Sequence, residues 1–376
     1  MARLGDVATY INGYAFKPTD WSDEGKPIIR IQDLTGNSYQ ANRFNGVCPE
    51  KYNVYDGDIL ISWSASLGVY VWRGEDAVLN QHIFKVVFDK VEVDRSFFIH
   101  QVENILANAV DEAHGATMKH LTKPVFDALP FALPPLEEQK RISEELDKVT
   151  RLIAFRKQQL AKLDELVKAR FIEMFGDPEL NPLNWPKVPL GNVITNANNG
   201  MARRGNDVEG SIVMRLVELQ DGYIDYSAPN RIVLNDAEKR RYLLRDNDFL
   251  FARVNGNPEN VGRCAVFYDI GEPVYHNDHI IRVHFDEALI NGAFASALFN
   301  STYGKRQMSS QIKTSAGQYT ISQDGIGAIV TILPPLSLQE RFAALVEQTD
   351  KSKLAVQQSI DQLETLKKSL MQKYFG

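Results

Sequence analysis

Two cysteines, Cys48 and Cys264, are all the chain has, one in each half and neither in a Cys-x-x-Cys or Cys/His cluster, so disulfide scaffolding and thiolate metal sites are excluded as organising devices. No apolar run approaches the ~18 residues a membrane helix needs. The start, Met1–Tyr10, lacks the basic stretch and apolar block of a secretory signal, so a cytoplasmic protein with free thiols is expected. A basic surplus is also missing: the 376 residues carry a formal charge of −6, which excludes nucleic-acid binding by bulk positive charge and requires any such surface to be locally basic. No Gly-x-x-x-x-Gly-Lys-Ser/Thr loop is present, because the Gly-Lys pairs run into Pro27 and Arg306. Nucleotide-driven motors are excluded by that absence. There is no His-Glu-x-x-His, and Asn181-Pro-Leu and Asp177-Pro-Glu do not fit the Asn/Asp-Pro-Pro-aromatic segment of an adenine methyltransferase. No catalytic centre and no metal site are expected.

What is present is a long internal repeat, and the length suits two or three domains. Leu133-Pro-Pro-Leu-Glu-Glu-Gln-Lys-Arg-Ile142 returns as Leu333-Pro-Pro-Leu-Ser-Leu-Gln-Glu-Arg-Phe342, and Met174-Phe-Gly176 returns as Tyr374-Phe-Gly376. The offset stays constant between these anchors, which marks an element that tolerates no insertion. Upstream the match is looser, pairing Leu4-Gly-Asp-Val7 with Leu190-Gly-Asn-Val193 and His82-Ile-Phe-Lys-Val86 with His279-Ile-Ile-Arg-Val283. A drifting offset means loops of different length on one scaffold.

The constant element reads as a helix, opened by Pro135 or Pro335 and closed by Gly176 or Gly376. A 4-3 stripe runs through Ile142, Leu146, Val149, Ile153, Arg156, Leu160, Leu163, Val167, Arg170 and Met174, mostly apolar at heptad core positions. The copy runs through Phe342, Val346, Thr349, Lys353, Val356, Ile360, Leu363, Lys367, Leu370 and Tyr374. Forty residues at ~1.5 Å each make a rod of roughly 60 Å, and two such rods bury their stripes most economically against each other. The polar intrusions Arg156, Arg170, Thr349, Lys353 and Lys367 either set the register of the helix pair or face a partner protein. The segments before each rod carry strand patterns, such as Ile59–Trp63, Ile83–Phe88 and His279–Phe285, interrupted by helical stretches near Phe97–Val110 and Ala293–Gln311. An α+β fold follows, with mostly antiparallel sheets. The boundaries expected are a first domain at 1–134, a long helix at 135–176, a Pro- and Asn-rich connector at 177–186, a second domain at 187–334 and a second long helix at 335–376.

Over essentially its whole length this order of variable domain, Leu-Pro-Pro-Leu-x-x-Gln-x-Arg helix, variable domain and second such helix resembles the specificity subunit of type I restriction-modification systems. The resemblance implies two similar target-recognition domains separated by two long helices in an antiparallel coiled coil, an internal pseudo-twofold repeat. It implies an asymmetric bipartite target in double-stranded DNA. Two methyltransferase subunits and restriction/translocase subunits would be the partners, holding the S-adenosylmethionine, ATP and Mg that this chain would not. The alternatives are a stand-alone two-headed DNA-binding regulator and a coiled-coil interaction scaffold.

Candidate DNA contacts lie in three kinds of loop. The stretch before each Leu-Pro-Pro supplies Thr117, Lys119, His120 and Lys123, and in the second domain Gln318, Tyr319 and Thr320. It resembles a Gly/Thr-rich stretch of the family. The opening loop of the second domain supplies Asn198, Asn199, Arg203 and Arg204, where asparagine suits an adenine edge and arginine a guanine edge or a phosphate. The loop after the central strand supplies Ser62, Trp63 and Ser64 in the first domain and Arg253, Asn255 and Asn257 in the second. Trp63 also suits a core. Lys239-Arg-Arg241 suits phosphates or a solvated helix. His82 and His279, at equivalent strand starts, read as scaffold. Neither domain is basic: residues 1–135 hold 12 basic and 17 acidic side chains, and 183–335 hold 15 and 16.

Overall fold

The computed structural model describes residues 1–37, 42–64, 66–112, 122–315 and 317–376. The chain divides into two compact units, one made of Met1–Lys157 with Gln358–Gly376, the other of Gln158–Gln357. Each rod is one unbroken helix, Leu136–Phe175 and Leu336–Phe375. Both begin directly after the second proline. Gly176 ends the first rod at φ +74°, its N–H returning to the Ile172 carbonyl at 2.8 Å, a left-handed stop that glycine adopts without a Cβ penalty.

The two units repeat one sheet topology. In the first, the strands Thr9–Asn12, Ile83–Val87, Ile59–Ser62 and Gly68–Val71 form an antiparallel sheet in that spatial order. In the second, Ile194–Asn199, Ile280–Phe285, Phe249–Ala252 and Cys264–Val266 do the same. A smaller sheet accompanies each and includes a parallel strand pair, Ile28 beside Val78 and Ile212 beside Val274.

The central strands are buried on both faces because each face has its own core. Ile59 and Ile61 join a cluster with Phe97, Phe98, Phe126 and Phe131, while Leu60 points to a second cluster with Ile29 and Leu79. Phe249 and Phe251 against Leu250 and Ala252 divide in the same way. This is the period-two alternation of a strand with an apolar environment on either side. The helical stretch of the first unit spans Arg95–Glu112. In the second it is broken into Gly292–Phe299 and Thr302–Gln311. The break lies at Asn300, whose side chain donates to the Ser296 and Cys264 carbonyls, and at Ser301, whose hydroxyl accepts from the Gly304 N–H and starts a new helix.

Within each unit, half of one rod packs antiparallel on half of the other. In the first, Leu146 and Val149 share a core with Leu370, and Lys157 pairs with Glu364 at 2.9 Å. In the second, Phe171 and Phe175 meet Phe342 edge-on at 5.6 and 5.5 Å between centroids. The heptad stripe is the less exposed face throughout, with Arg156 and Arg170 the exposed exceptions. Lys353 sits between Asp164 of the facing rod at 2.7 Å and Asp350 at 3.2 Å, Thr349 donates to the Leu345 carbonyl, and Lys367 reaches Glu103 at 3.6 Å. Arg170 pairs with Glu173 on its own helix. The segment 177–186 belongs to the second unit, where the Trp185 indole donates to the Phe175 carbonyl at 2.9 Å and Asn181 brackets the Trp185 backbone.

Candidate nucleic-acid interface

Equivalent backbone bonds fix equivalent positions at one end of the two sheets. The N–H of Trp63 donates to the His82 carbonyl at 3.3 Å, and that of Arg253 to the His279 carbonyl at 2.7 Å. The N–H of Gly13 donates to Ile83, and that of Gly200 to Ile280. A Cβ on Gly13 would lie 1.9 Å from the Asn80 carbonyl oxygen, and one on Gly200 2.3 Å from that of Asn277, so both loops demand glycine for the close approach. Asn12 therefore corresponds to Asn199, and Trp63 to Arg253. His82 and His279 serve the loops through their main-chain carbonyls. The His279 imidazole is pushed below its usual range, first by burial and then by the Arg204 guanidinium, 3.1 Å from its Nε2.

In the second unit the candidate loops converge. Val254 and Asn255 pair with Thr320 and Tyr319, and the hairpin Lys313–Ser315 to Gln318–Thr320 continues that sheet. The result is a polar cleft of about 350 Å³ lined by Asn199, Arg253, Lys313, Thr320, Gln323 and Asp324. Gln323 Nε2 donates to Asn199 Oδ1 at 3.1 Å. Arg253 Nη1 donates to the Asp278 carbonyl at 3.0 Å.

Other candidates are spent on structure. Arg203 forks onto Glu238, Nε to Oε1 at 3.0 Å and Nη2 to Oε2 at 2.9 Å, and this bond holds the Glu238 carboxyl below its usual range. Arg204 pairs with Asp278 at 2.6 Å. The Asn198 amide donates to the Arg241 carbonyl and accepts from Arg282 Nε at 3.0 Å, and Arg282 rests 3.6 Å from the buried Asp248. Asn255 and Asn257 accept from the backbone N–H groups two residues ahead at 2.9 and 3.0 Å, shaping the turn as asparagine side chains do. Arg241 lies over the Tyr242 ring at 5.5 Å.

In the first unit, Ser62 and Ser64 are 0% and 5% exposed. The Ser62 hydroxyl donates to the Ser66 carbonyl at 2.6 Å, so it holds the turn. Trp63 stacks on Phe84 at 5.6 Å, and its indole N–H donates to Asn12 Oδ1 at 3.1 Å. Lys123 pairs with Asp127 one helical turn on. Thr117, Lys119 and His120 lie outside the described residues.

Sequence reasoning missed Asn12, Lys313 and the pair Gln139 and Gln339. The Asn-Gly dipeptide, present in both halves at the start of the sheet, was the available signal for Asn12. The glutamines stand inside the repeated Leu-Pro-Pro-Leu-x-x-Gln. Gln139 donates to the Pro134 carbonyl at 2.7 Å and accepts from the Asp94 N–H at 3.0 Å. Gln339 donates to the Pro334 and Leu289 carbonyls at 2.7 and 3.1 Å and accepts from the Asn291 N–H at 2.9 Å. Each clamps the start of a rod to the residue that opens its unit's interior helix.

No described helix is long and apolar enough to cross a membrane. Residues 1–165 match the family model of the type I restriction modification DNA specificity domain. The chain is similar in sequence to specificity subunits of type I restriction enzymes. It is 27% identical to the StySPI specificity subunit of Salmonella potsdam over all of this chain and 88% of that protein. With the EcoKI specificity subunit of Escherichia coli strain K12 it is 23% identical over the same shares. With the EcoBI specificity subunit of Escherichia coli the identity is 26% over 70% of this chain and 61% of that protein. In fold it is similar to the crystal structure of a type I S subunit from M. genitalium, with a TM-score of 0.55 and 14% identity over all of this chain and 95% of that one. A chain from a structure of type I system assembly and conformational transition gives 0.57 and 15% over 100% and 96%.

Proposed function

We propose that this chain recognises an asymmetric bipartite site in double-stranded DNA, one half per unit, and carries no chemistry of its own. The observation that carries the reading is the pairing of one scaffold with two chemistries. Asn12 and Asn199 are held in the same way, yet the neighbouring position is an indole in one unit and a guanidinium in the other. Two readers on one repeat suit two unlike half-sites at a fixed spacing. Phosphate contacts would position the chain, and base edges at the loop ends would specify the sequence.

Two methyltransferase subunits would dock beside it and supply the S-adenosylmethionine chemistry on a flipped adenine. Restriction/translocase subunits, with ATP and Mg, would complete the complex. The test is a genome-wide map of methylated adenine in the source cell with and without the gene. Loss of methylation at one two-part motif is the expected result. An unchanged map in a cell expressing the locus would overturn the reading and favour a regulator or a scaffold.

A further inference from the structure

The cleft of the second unit, which Asp324 also lines, holds two cationic side chains that form no ion pair among the described residues. Arg203 and Arg204 are consumed by Glu238 and Asp278. Arg253 has no carboxylate partner among the described residues. It gives one Nη1 hydrogen to a main-chain carbonyl, which pins the guanidinium in place and leaves its Nη2 edge uncommitted. Lys313, on the adjoining hairpin, is exposed and likewise has no partner among the described residues. A pinned fork with a free edge suits the paired acceptors of a guanine, whereas a mobile ammonium on a hairpin suits a phosphate.

The first unit carries a different chemistry at the same position. Trp63 occupies the backbone place of Arg253, but its ring stacks on Phe84 and its N–H is spent on Asn12. The difference is chemical and not geometric.

We infer that Arg253 reads a guanine in the half-site bound by the second unit, and that Lys313 holds an adjacent backbone phosphate. This deepens the function proposed above and rests on it. The Asn199–Gln323 amide pair borders the cleft and fixes its far wall.

The experiment compares methylomes of cells carrying the methyltransferase subunit together with wild-type chain, Arg253→Gln, Arg253→Lys or Lys313→Ala. Binding of the purified complexes to the wild-type motif and to single-base variants of it is titrated over a series of salt concentrations. Wild type should prefer one guanine of one half-site about ten- to a hundredfold over other bases there. Arg253→Gln should lose that preference or shift it to adenine while every other position of the motif stays fixed. Arg253→Lys, which keeps the charge but not the fork, should lose the preference with an unchanged salt slope. Lys313→Ala should weaken binding to all sequences alike and lower the salt slope by about one.

A motif unchanged in both Arg253 variants, tested as folded complexes by thermal melting, overturns the inference. Uniform weakening by Arg253→Gln, with base preference retained, overturns it as well, because that is a phosphate contact. If wild type itself yields no two-part motif, the proposed function fails first.

Discussion

Removing the Gln339 side chain tests how the second rod is joined to its unit. The amide is 0% exposed. Truncation in Gln339→Ala strands three groups together: the Asn291 N–H, which loses its acceptor, and the Pro334 and Leu289 carbonyls, which lose their donor. Unpaired buried polar groups cost ~1–3 kcal/mol each, partly relieved where a carbonyl keeps a second partner or water enters, so a total of about 3 kcal/mol is expected. For a unit of this size that lowers the unfolding midpoint by about 6–12 °C. Gln139 holds only two such groups, so Gln139→Ala should cost about 2 kcal/mol and act on the first unit's transition. Calorimetry of the full chain, with hydrogen exchange at the Asn291 amide to assign the transition, reads both effects. Gln339→Glu sharpens the test. Its carboxylate would face two carbonyl oxygens without a proton to donate, so the folded state would raise its pKa. A raised folded pKa means stability is lost as pH rises through the unfolded value near 4.3 and is recovered in acid. A Gln339→Ala midpoint within 2 °C of wild type, or a Gln339→Glu variant whose deficit relative to wild type is no smaller at pH 4 than at pH 7, would refute the clamp.

Burial pushes the His276 imidazole down to about 4, so the folded second unit binds its proton later than the unfolded chain does. Stability should therefore be full above pH 6.5 and fall by about 3 kcal/mol as pH drops toward 4. Denaturant titrations of wild type and His276→Gln over that window check this, and parallel curves would sink it. Lys353 occupies a heptad core position between Asp164 and Asp350, where a charge must be desolvated to be paired. Lys353→Met should leave the second unit's midpoint unchanged or raise it, by up to ~1 kcal/mol. A loss above about 2 kcal/mol would show the ion pair to be a net stabiliser, contrary to expectation.

The rods were legible because their signals are local. A proline start, a glycine stop and an unbroken 4-3 stripe need nothing from the rest of the chain, and the observed helices run from Leu136 to Phe175 and from Leu336 to Phe375. The α+β class followed from runs whose side-chain period is two. The single helix expected over Ala293–Gln311 failed because Asn300 and Ser301 bond to the backbone more favourably than they continue a helix, a competition that composition does not display.

The site was harder, since a side chain's type states what it can bind and not whether it is already bound. By itself the sequence determined the repeat, the rods, a family resemblance and the loops from which contacts would come, because periodicity, turn chemistry and internal matching are properties of neighbours along the chain. Only the tertiary structure decided which of those side chains remain available. Arg203, Arg204 and Asn198 find partners from 2 to 84 residues away, Ser62 and Ser64 turn inward, and Arg253 and Lys313 share one cleft without an ion pair among the described residues. That division has a physical cause: a buried or paired polar group is satisfied by whatever the fold brings to it, and the fold brings together residues that the sequence holds far apart.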